Sequence, residues 1–330
     1  MKLSIVIICW NDWKVIENCL RSIFEGTSKT TFEVIVSDNG STDGSVERVR
    51  DRFPVVRVVE NRANLGFARG NNSGIEVATG EYVLILNPDT IVHAGSLDRW
   101  IDYADKHPEA GAFGCRVLNP DGTYQESARP FPTVRRALMA AFGLRQLGRL
   151  GQAFLSDRYD NSWKGDRERQ VDWQSGCCIL FRGGLLKALD GFDERFFYHY
   201  EEVDLCHRVW ASGHPIWFTP DVTITHLGGQ SVGRFPVRFA LERNRNCYRY
   251  FYKHFGPEGA RRCRRVTLAH LHIRQIGYGL LYRLKPTETL RRRLEMYRVA
   301  QEWNRLLDPI DFVERGSEPE LSPANAALIS

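Results

Sequence analysis

Residues 82–89 read Tyr82-Val83-Leu84-Ile85-Leu86-Asn87-Pro88-Asp89. An unbroken apolar run of this length is the pattern of a strand buried on both faces, and such strands belong to parallel sheets covered by helices. The same kind of run recurs at Leu3 to Cys9, Phe32 to Ser37 and Val55 to Val59. Between the runs, Trp13 to Phe24, Asp43 to Arg52 and Phe67 to Ala78 carry helical patterning, with Ser41 and Asp43 as caps and Gly80 as a stop. Strand–helix alternation at this spacing predicts an α/β fold with a parallel sheet and right-handed crossovers. Ligands of such sheets sit beyond the carboxyl ends of the strands. Chemistry is therefore expected at Trp10-Asn11, Asp38-Asn39 and Asn87-Pro88-Asp89.

Further along, Gly111 to Leu118 reads as a strand, followed by a turn at Asn119-Pro120-Asp121-Gly122. Arg129 to Lys164 is weakly patterned and reads as a loop with a short helix. Val171 to Arg182 reads as one strand crossing the core, Tyr200 to Ser212 as a helix and Ile216 to Thr225 as extended. Beyond Phe235 the pattern is helical to about Asn304. There Val266, Ala269, Ile273, Ile276, Leu280 and Leu284 repeat at three- and four-residue intervals and share one face. Residues 306–330, with Pro319 and Pro323 among Ser, Glu and Ala, read as a disordered tail.

The 330 residues leave room for two domains, or for one α/β domain with an extension. With 43% hydrophobic and 26% charged residues, a large core can be buried and global disorder is excluded. No run approaches the ~18 apolar residues of a membrane span, so no transmembrane helix is expected. The N-terminal apolar run lacks a small-residue cleavage site and soon becomes polar at Asn11 and Asp12, so no secretory signal is expected. The eight cysteines form no C-x-x-C pair, and Cys177 and Cys178 are adjacent. That argues against a zinc site or a disulfide framework and suits a reducing cytosol. The net charge of +5 hides an asymmetry: Arg234 to Ala300 holds 17 Lys and Arg against 4 Asp and Glu. So basic a block calls for an anionic partner or a well-solvated surface.

Several motifs carry possible chemistry. Asp89, at a strand's carboxyl end beside a rigid Pro, is placed to hold a hard cation such as Mg²⁺ or Mn²⁺; the plain alternative is a turn-capping Asp. The loop Asp38-Asn39-Gly40-Ser41-Thr42-Asp43 offers carboxylate and amide groups to a base or ribose, or is an ordinary strand-to-helix turn. Asn64-Leu65-Gly66-Phe67-Ala68-Arg69 opens another helix with backbone donors and a cation in reach of a pyrophosphate, without a Walker or Rossmann glycine spacing. Glu201-Glu202-Val203-Asp204 follows the aromatic run Phe196-Phe197-Tyr198-His199-Tyr200. Mutual repulsion and an apolar wall both raise a carboxyl pKa and make a usable general base; the alternative is favourable acidic charge at a helix start. His226 ends an extended run, structural unless a metal lies near Asp89.

In this order the motifs resemble family 2 glycosyltransferases of the GT-A fold, inverting enzymes that use nucleotide-sugar donors. The resemblance rests on Ser4-Ile5-Val6-Ile7, Val36-Ser37-Asp38-Asn39-Gly40-Ser41, Asn64-Leu65-Gly66-Phe67, Asn87-Pro88-Asp89, Gly191-Phe192-Asp193-Glu194, the Glu201 to Arg208 segment and His226. Arg129-Pro130-Phe131-Pro132-Thr133, Ser175-Gly176 and the basic helical tail with Tyr250-Phe251-Tyr252-Lys253-His254-Phe255-Gly256 resemble the bacterial rhamnosyltransferase-like branch, whose members typically extend lipid-linked glycans with dTDP-L-rhamnose.

The resemblance implies a GT-A nucleotide-diphospho-sugar transferase fold: a mostly parallel Rossmann-like sheet flanked by helices, with a C-terminal helical extension. Residues 1–233 would be the catalytic domain, with a nucleotide-sugar half at 1–115 and an acceptor half at 116–233; 234–305 would be the basic extension. Asn11, Asp38, Asn39, Asn64, Gly66, Arg69 and Asn87 would face the donor, Asp38 contacting base and ribose. Asp89 stands at the last Asp of the family's D-x-D motif, whose first Asp is here Asn87. Asp89 and His226 would hold Mg²⁺ or Mn²⁺. The family's base falls at Glu202 in a pattern that normally ends Glu-Asp; here it reads Glu-Glu, so Glu201 is also a candidate. Trp173, Ser175, Gly176 and Arg129 fall on the acceptor side. The implied partners are dTDP-L-rhamnose and a polyprenyl-diphosphate-linked or glycan acceptor. The basic tail with its apolar stripe adds an anionic membrane surface, or else packs on the catalytic domain with its Arg solvated, and the lack of a recognisable module argues against nucleic acid. The implied location is cytoplasmic, peripheral on the inner face of the plasma membrane. A nucleotidyltransferase and a non-catalytic sugar-nucleotide-binding scaffold are the alternatives.

Overall fold

The computed structural model describes residues 1–141, 163–228 and 236–326. They group into two units, Met1–Phe131 with Ser162–Gln230, and Pro132–Asn161 with Ser231–Ser330.

The first unit begins with β1 (Leu3–Cys9), α1 (Trp13–Gly26), β2 (Phe32–Asp38), α2 (Ser45–Arg52), β3 (Arg57–Glu60), α3 (Gly66–Val77) and β4 (Tyr82–Leu86). It continues through β5 (Thr90–Val92), α4 (Ser96–Asp105), β6 (Ala112–Leu118), β7 (Tyr124–Gln125) and β8 (Ala128–Arg129). The helix α5 (Val134–Ala141) belongs to the second unit. Then come β9 (Arg169–Gln170), β10 (Trp173–Gln174), β11 (Cys178–Arg182), α6 (Gly183–Ala188), α7 (Glu201–Ala211) and β12 (Ile216–His226).

Among the described residues the main sheet has the order β3-β2-β1-β4-β11-β6-β12-β5, with β7 on β6 and β9 on β12. β1 pairs in parallel with β2 and β4, and β2 with β3. β11 is antiparallel to both β4 and β6, β12 is parallel to β6, and β5 is antiparallel to β12. The unbroken apolar runs are explained by burial: every residue of β4 is buried, and so is nearly all of β1. Ile16, Leu20 and Ile23 of α1, spaced by four and three, are fully buried in the same core. Cys9 lies beside Asp38, and Ile7 beside Leu86. The carboxyl ends of β1, β2 and β4 therefore emerge on one edge, which brings Asn11, Asp38 and Asn87 to the same region.

The sequence reading needs correction in four places. Val171 to Arg182 is not one strand. Trp173–Gln174 pairs with Ala128–Arg129 in a separate two-stranded sheet, and Cys178–Arg182 enters the main sheet after a turn in which the Cys178 N–H donates to the Ser175 carbonyl (3.2 Å). Gly176, with no side chain, fits the turn where Phe67 and Glu202 close in. Helix α4 was not foreseen, although Leu97, Trp100, Ile101 and Ala104 are buried at helical spacing. The acceptor half expected at 116–233 is interrupted, because α5 packs on the long helix of the second unit. Of the loop expected at Arg129 to Lys164, residues 142–162 lie outside the described residues.

The fourth correction concerns the tail. The second unit is built on α8 (Pro236–Leu284), which breaks at Gly256 (φ 68°) ahead of Pro257. Glycine tolerates that φ, and Pro suits the first turn of the continuing helix. α9 (Glu288–Leu306) starts on a Thr287 cap and runs back along α8: Tyr278 stacks on Tyr297 (5.3 Å), and Arg264 donates to the Asn304 carbonyl (2.9 Å). Residues 309–315, expected to be disordered, form α10 (Pro309–Arg315). Asp308 caps it, and Phe312 is buried edge-on against Trp303. One well-placed cap and one aromatic anchor outweigh the polar composition. A short α11 (Pro323–Ala326) follows. No helix among the described residues is long and apolar enough to cross a membrane.

Candidate active site

At the end of β2, Asp38 is buried at 3% exposure. Its Oδ2 accepts the backbone N–H groups of Gly40 (3.0 Å) and Ser41 (2.9 Å). Its Oδ1 is also buried and has no partner among the described residues. A buried carboxylate oxygen without a donor is costly unless a ligand supplies one. Asn11 has a left-handed backbone (φ 56°) and clasps the same loop: its N–H donates to Ser41 Oγ (2.8 Å) and its Oδ1 accepts the Thr42 N–H (2.7 Å).

Asn39 and Gly66 are brought together, as a clasp. Asn39 is 2% exposed; its Nδ2 donates to the Gly66 carbonyl (3.0 Å), and its Oδ1 accepts Asn61 Nδ2 (2.9 Å). Gly66 has φ 79°, and a Cβ there would lie 2.5 Å from the Phe197 carbonyl. Its absence lets the start of α3 press against the aromatic run before α7. The amides at this helix start are partly used within the protein: Asn64 Oδ1 accepts the Gly66 N–H (3.0 Å), and Phe67 N–H donates to Phe197 O (2.7 Å). Arg69 is exposed and lies 3.4 Å from Glu194.

The end of β4 meets the end of β12. Asp89 Oδ1 lies 3.2 Å from His226 Nε2, and Asn87 Nδ2 lies 3.5 Å from the same nitrogen. The other ring nitrogen, Nδ1, is 2.7 Å from Gln125 Oε1. Gln125 Nε2 donates to Asn119 Oδ1 (2.8 Å) and toward the His226 carbonyl (3.4 Å), so Oε1 is the face turned to the ring. Nδ1 must then be the protonated nitrogen in the neutral ring. This leaves the Nε2 lone pair facing a carboxylate oxygen. Two acceptors at that distance repel unless a proton on Nε2, which makes an ion pair, or a bound cation lies between them. The pair therefore fits a divalent metal, with Gln125 orienting the imidazole as metal-bound histidines are commonly oriented. No cluster of three or more His, Cys, Asp or Glu side chains capable of holding a metal exists among the described residues. Two protein ligands, with the remaining positions left to phosphate and water, is the habit of Mg²⁺-type sites.

Across the opening, α7 begins after two left-handed residues, His199 (φ 71°) and Tyr200 (φ 73°). Glu201 is buried, and Glu202 is half-buried. Burial, and then the charge of Glu202, push the Glu201 carboxyl well above the usual range. Burial also raises Glu202, opposed by the backbone amides of Val203 and Gly176 and by the Arg129 charge. One carboxylate oxygen on each glutamate is buried without a partner among the described residues. Gly176 is tight against Glu202: a Cβ there would sit 3.4 Å from the Glu202 Cβ and 3.3 Å from the Phe67 ring. Arg129 lies over the Trp173 indole (5.7 Å), and Trp173 Nε1 donates to the Pro130 carbonyl (3.0 Å). Ser175 N–H donates to Ser127 O (2.7 Å), pinning the turn.

Two residues that sequence reasoning missed join the halves. The Tyr198 hydroxyl is pushed up by burial and then by the charges of Glu201, Glu202 and Asp89. The Cys177 thiol is pushed to about 12 by burial, with Asp89 and Glu202 contributing. Both therefore lie in the electrostatic reach of Asp89 and Glu202 together. Gln125 was missed as well. The turn at residues 119–122 signals a hairpin, and Gln125 does pair with Val117, but nothing in the sequence tells which side chain meets the histidine.

The site thus has an orphan acceptor at Asp38, an acceptor pair suited to a cation and a carboxyl of raised pKa, all in one unit. The Glycosyl transferase family 2 profile matches residues 4–163. An N-acetylglucosaminyl-diphospho-decaprenol L-rhamnosyltransferase of Mycobacterium tuberculosis is 31% identical over 261 residues, which cover 74% of this chain and 82% of the relative. Two solved structures share the fold at 18% identity. The mannosyltransferase PcManGT of Pyrobaculum calidifontis, with GDP-Man and Mn²⁺, has a TM-score of 0.53 and is covered to 88%, with 92% of this chain. S. aureus TarS in complex with UDP-GlcNAc has a TM-score of 0.52 and is covered to 84%, with 95% of this chain.

Proposed function

Since this chain belongs to glycosyl transferase family 2, in its rhamnosyltransferase-like branch and with the GT-A fold, we propose that it transfers L-rhamnose from dTDP-L-rhamnose, with inversion, to a polyprenyl-diphosphate-linked saccharide in cell-surface glycan synthesis. With a lipid-linked acceptor and a nucleotide-sugar donor, the reaction would run at the inner face of the plasma membrane. The sugar and acceptor are supported by the name of the mycobacterial relative. The observation that supports the chemistry is the closeness of Glu202, whose carboxyl is raised by burial, to the Asp89–His226 pair: Gly176 packs against Glu202, and the carbonyl of the next residue, Cys177, accepts the Asn87 N–H (2.9 Å).

Inversion is one in-line displacement at the anomeric carbon, with the base on the face opposite the leaving diphosphate. Glu202 takes the acceptor hydroxyl proton. Its raised pKa brings its basicity closer to neutral pH than a free carboxylate allows. Glu201 is buried deeper, and burial followed by the Glu202 charge pushes its carboxyl up more strongly. Arg129 and Trp173 position the acceptor beside Gly176. Asp38 Oδ1 accepts a hydrogen bond from the base or ribose of the donor. Asp89 and His226 would hold Mg²⁺ or Mn²⁺, which when bound supplies positive charge for the departing diphosphate.

The test is transfer of radiolabelled rhamnose to a polyprenyl-diphosphate GlcNAc acceptor, with and without Mn²⁺ or Mg²⁺. Metal-dependent product that keeps the lipid is expected. Pyrophosphate release from dTTP in place of transfer would favour the nucleotidyltransferase. Donor binding without transfer to any acceptor would favour the scaffold.

A further inference from the structure

The second unit keeps part of its apolar surface outside. Its core buries Tyr248, Tyr250, Phe251, Trp303 and Phe312. Toward the turn between α8 and α9, however, Ile273 is 40% exposed, Ile276 52%, Leu280 55%, Leu281 51% and Leu284 83%. Ile273, Ile276, Leu280 and Leu284 follow each other at intervals of three, four and four residues, so they form one stripe on α8. A Cβ added at Gly277 or Gly279 would meet nothing within 4 Å, so this stretch of helix lies open. Clustered exposed aliphatic side chains mark an interaction surface.

The charge around the stripe selects the partner. Between Leu271 and Arg298 there are seven Lys or Arg and two Glu. Glu288 is engaged by Arg291 and Arg292, and Glu295 by Arg291. Arg274, Arg283 and Lys285 have no ion-pair partner among the described residues. Tyr278 stacks on Tyr297 and has Arg293 over its ring (5.5 Å). Aliphatic groups flanked by long cations and tyrosines match the boundary between acyl chains and anionic headgroups, where Lys and Arg extend toward the phosphates while their stems cover apolar surface. A nucleic acid would use the cations and leave the five aliphatic side chains in water.

We propose that the tip of the α8–α9 hairpin is a docking surface for an anionic bilayer, with Ile276, Leu280 and Leu284 entering the headgroup region and Arg274, Arg283 and Lys285 engaging lipid phosphate. This deepens the proposed function, and it rests on that reading only for its purpose: a lipid-anchored acceptor is met where the enzyme docks. The binding itself is independent of the sugar chemistry.

The test is flotation of the full chain with vesicles of phosphatidylcholine alone or mixed with phosphatidylglycerol. Binding to the anionic vesicles is expected, weakened by 0.5 M NaCl. Leu280→Glu with Leu284→Glu should lower the partition coefficient at least about tenfold, since two aliphatic side chains no longer leave water. Arg283→Glu with Lys285→Glu should lower it on anionic vesicles alone. All four positions are exposed, so circular dichroism should be unchanged. Three outcomes would overturn the proposal: equal partition of wild type and the leucine double variant; retention on DNA with no vesicle uptake; or a dimer by light scattering that the leucine variant abolishes, with no vesicle uptake. Turnover on a short-chain, water-soluble acceptor should be the same in the leucine variant. Absence of that turnover in the wild type, with vesicle binding intact, would refute the transferase reading and leave the docking surface standing.

Discussion

The two units break the ordinary rule of burial in opposite ways. In the first, polar atoms without partners lie inside: Asp38 Oδ1 and one oxygen each of Glu201 and Glu202. In the second, apolar side chains without cover lie outside, from Ile273 to Leu284. Both arrangements cost stability in water, the first through desolvation and the second through exposed apolar surface. Each is relieved by a partner of the opposite kind. On the proposed function, hydroxyl and N–H groups of the two substrates would satisfy the first, and on the proposed docking a bilayer would cover the second. A transferase acting on a lipid-linked acceptor needs both.

The comparison is tested hardest at Glu202. Glu202→Gln should lower turnover about 10³-fold by removing the proton acceptor, while its melting temperature holds or rises as Glu201 loses a repelling neighbour. Retained turnover would move the base elsewhere, and Glu201→Gln in the same assay would locate it. Asp89→Asn should lower turnover about a hundredfold, because metal charge on the leaving group is worth several kcal/mol. The Mn²⁺-dependent part of the donor-induced thermal shift should vanish with it. Asp38→Ala should raise the donor KM about tenfold with kcat nearly unchanged, as one buried hydrogen bond common to ground and transition states is lost.

The pH dependence is a subtler probe. The acid limb of turnover should lie above the usual carboxyl range, because burial raises Glu202. Arg129 pulls that pKa down, so Arg129→Gln should move the limb to higher pH. Glu201 is raised more strongly. Its contribution to stability is full below the unfolded carboxyl pKa and is lost as pH rises through the folded one. The wild-type melting temperature should therefore fall with rising pH over that window more than that of Glu201→Gln. The smallest effect is expected on the second unit's surface. Leu280→Glu with Leu284→Glu should change stability in vesicle-free buffer by less than about 0.5 kcal/mol per site. A large loss would mean that the stripe is packed in solution, and the contrast between the units would fail.

Much of the first unit was legible because its signals are local. The apolar runs at Leu3 to Cys9 and Tyr82 to Leu86 are buried strands whatever surrounds them, and strand alternation points ligands to their carboxyl ends. Asn87-Pro88-Asp89 is singled out that way, whereas Glu201-Glu202 is singled out as a carboxylate pair that opens a helix after an aromatic run. The break at Ser175-Gly176 was not, because Trp173–Gln174 leaves the main sheet to pair with residues more than forty positions away. Asn64 and Gly66 read as part of a helix start with backbone donors that faces the sugar donor. In the fold Asn64 Oδ1 accepts the Gly66 N–H at the start of α3, and Gly66 admits Phe197, a use that depends on a segment about 130 residues downstream.

By itself the sequence determined the long buried strands of the first half, the basic block and the residue types for the chemistry, because hydrophobic periodicity and charge are properties of neighbouring residues. Tertiary structure decided which lone pairs face each other. His226 meets Asp89 only where β12 ends beside the residues that follow β4, and Gln125 sets its tautomer from a hairpin a hundred residues earlier. It also decided which apolar residues stay outside. Val266 and Ile276 share a helix face in the sequence, yet one is buried and the other exposed, because burial depends on what the rest of the chain brings to that face.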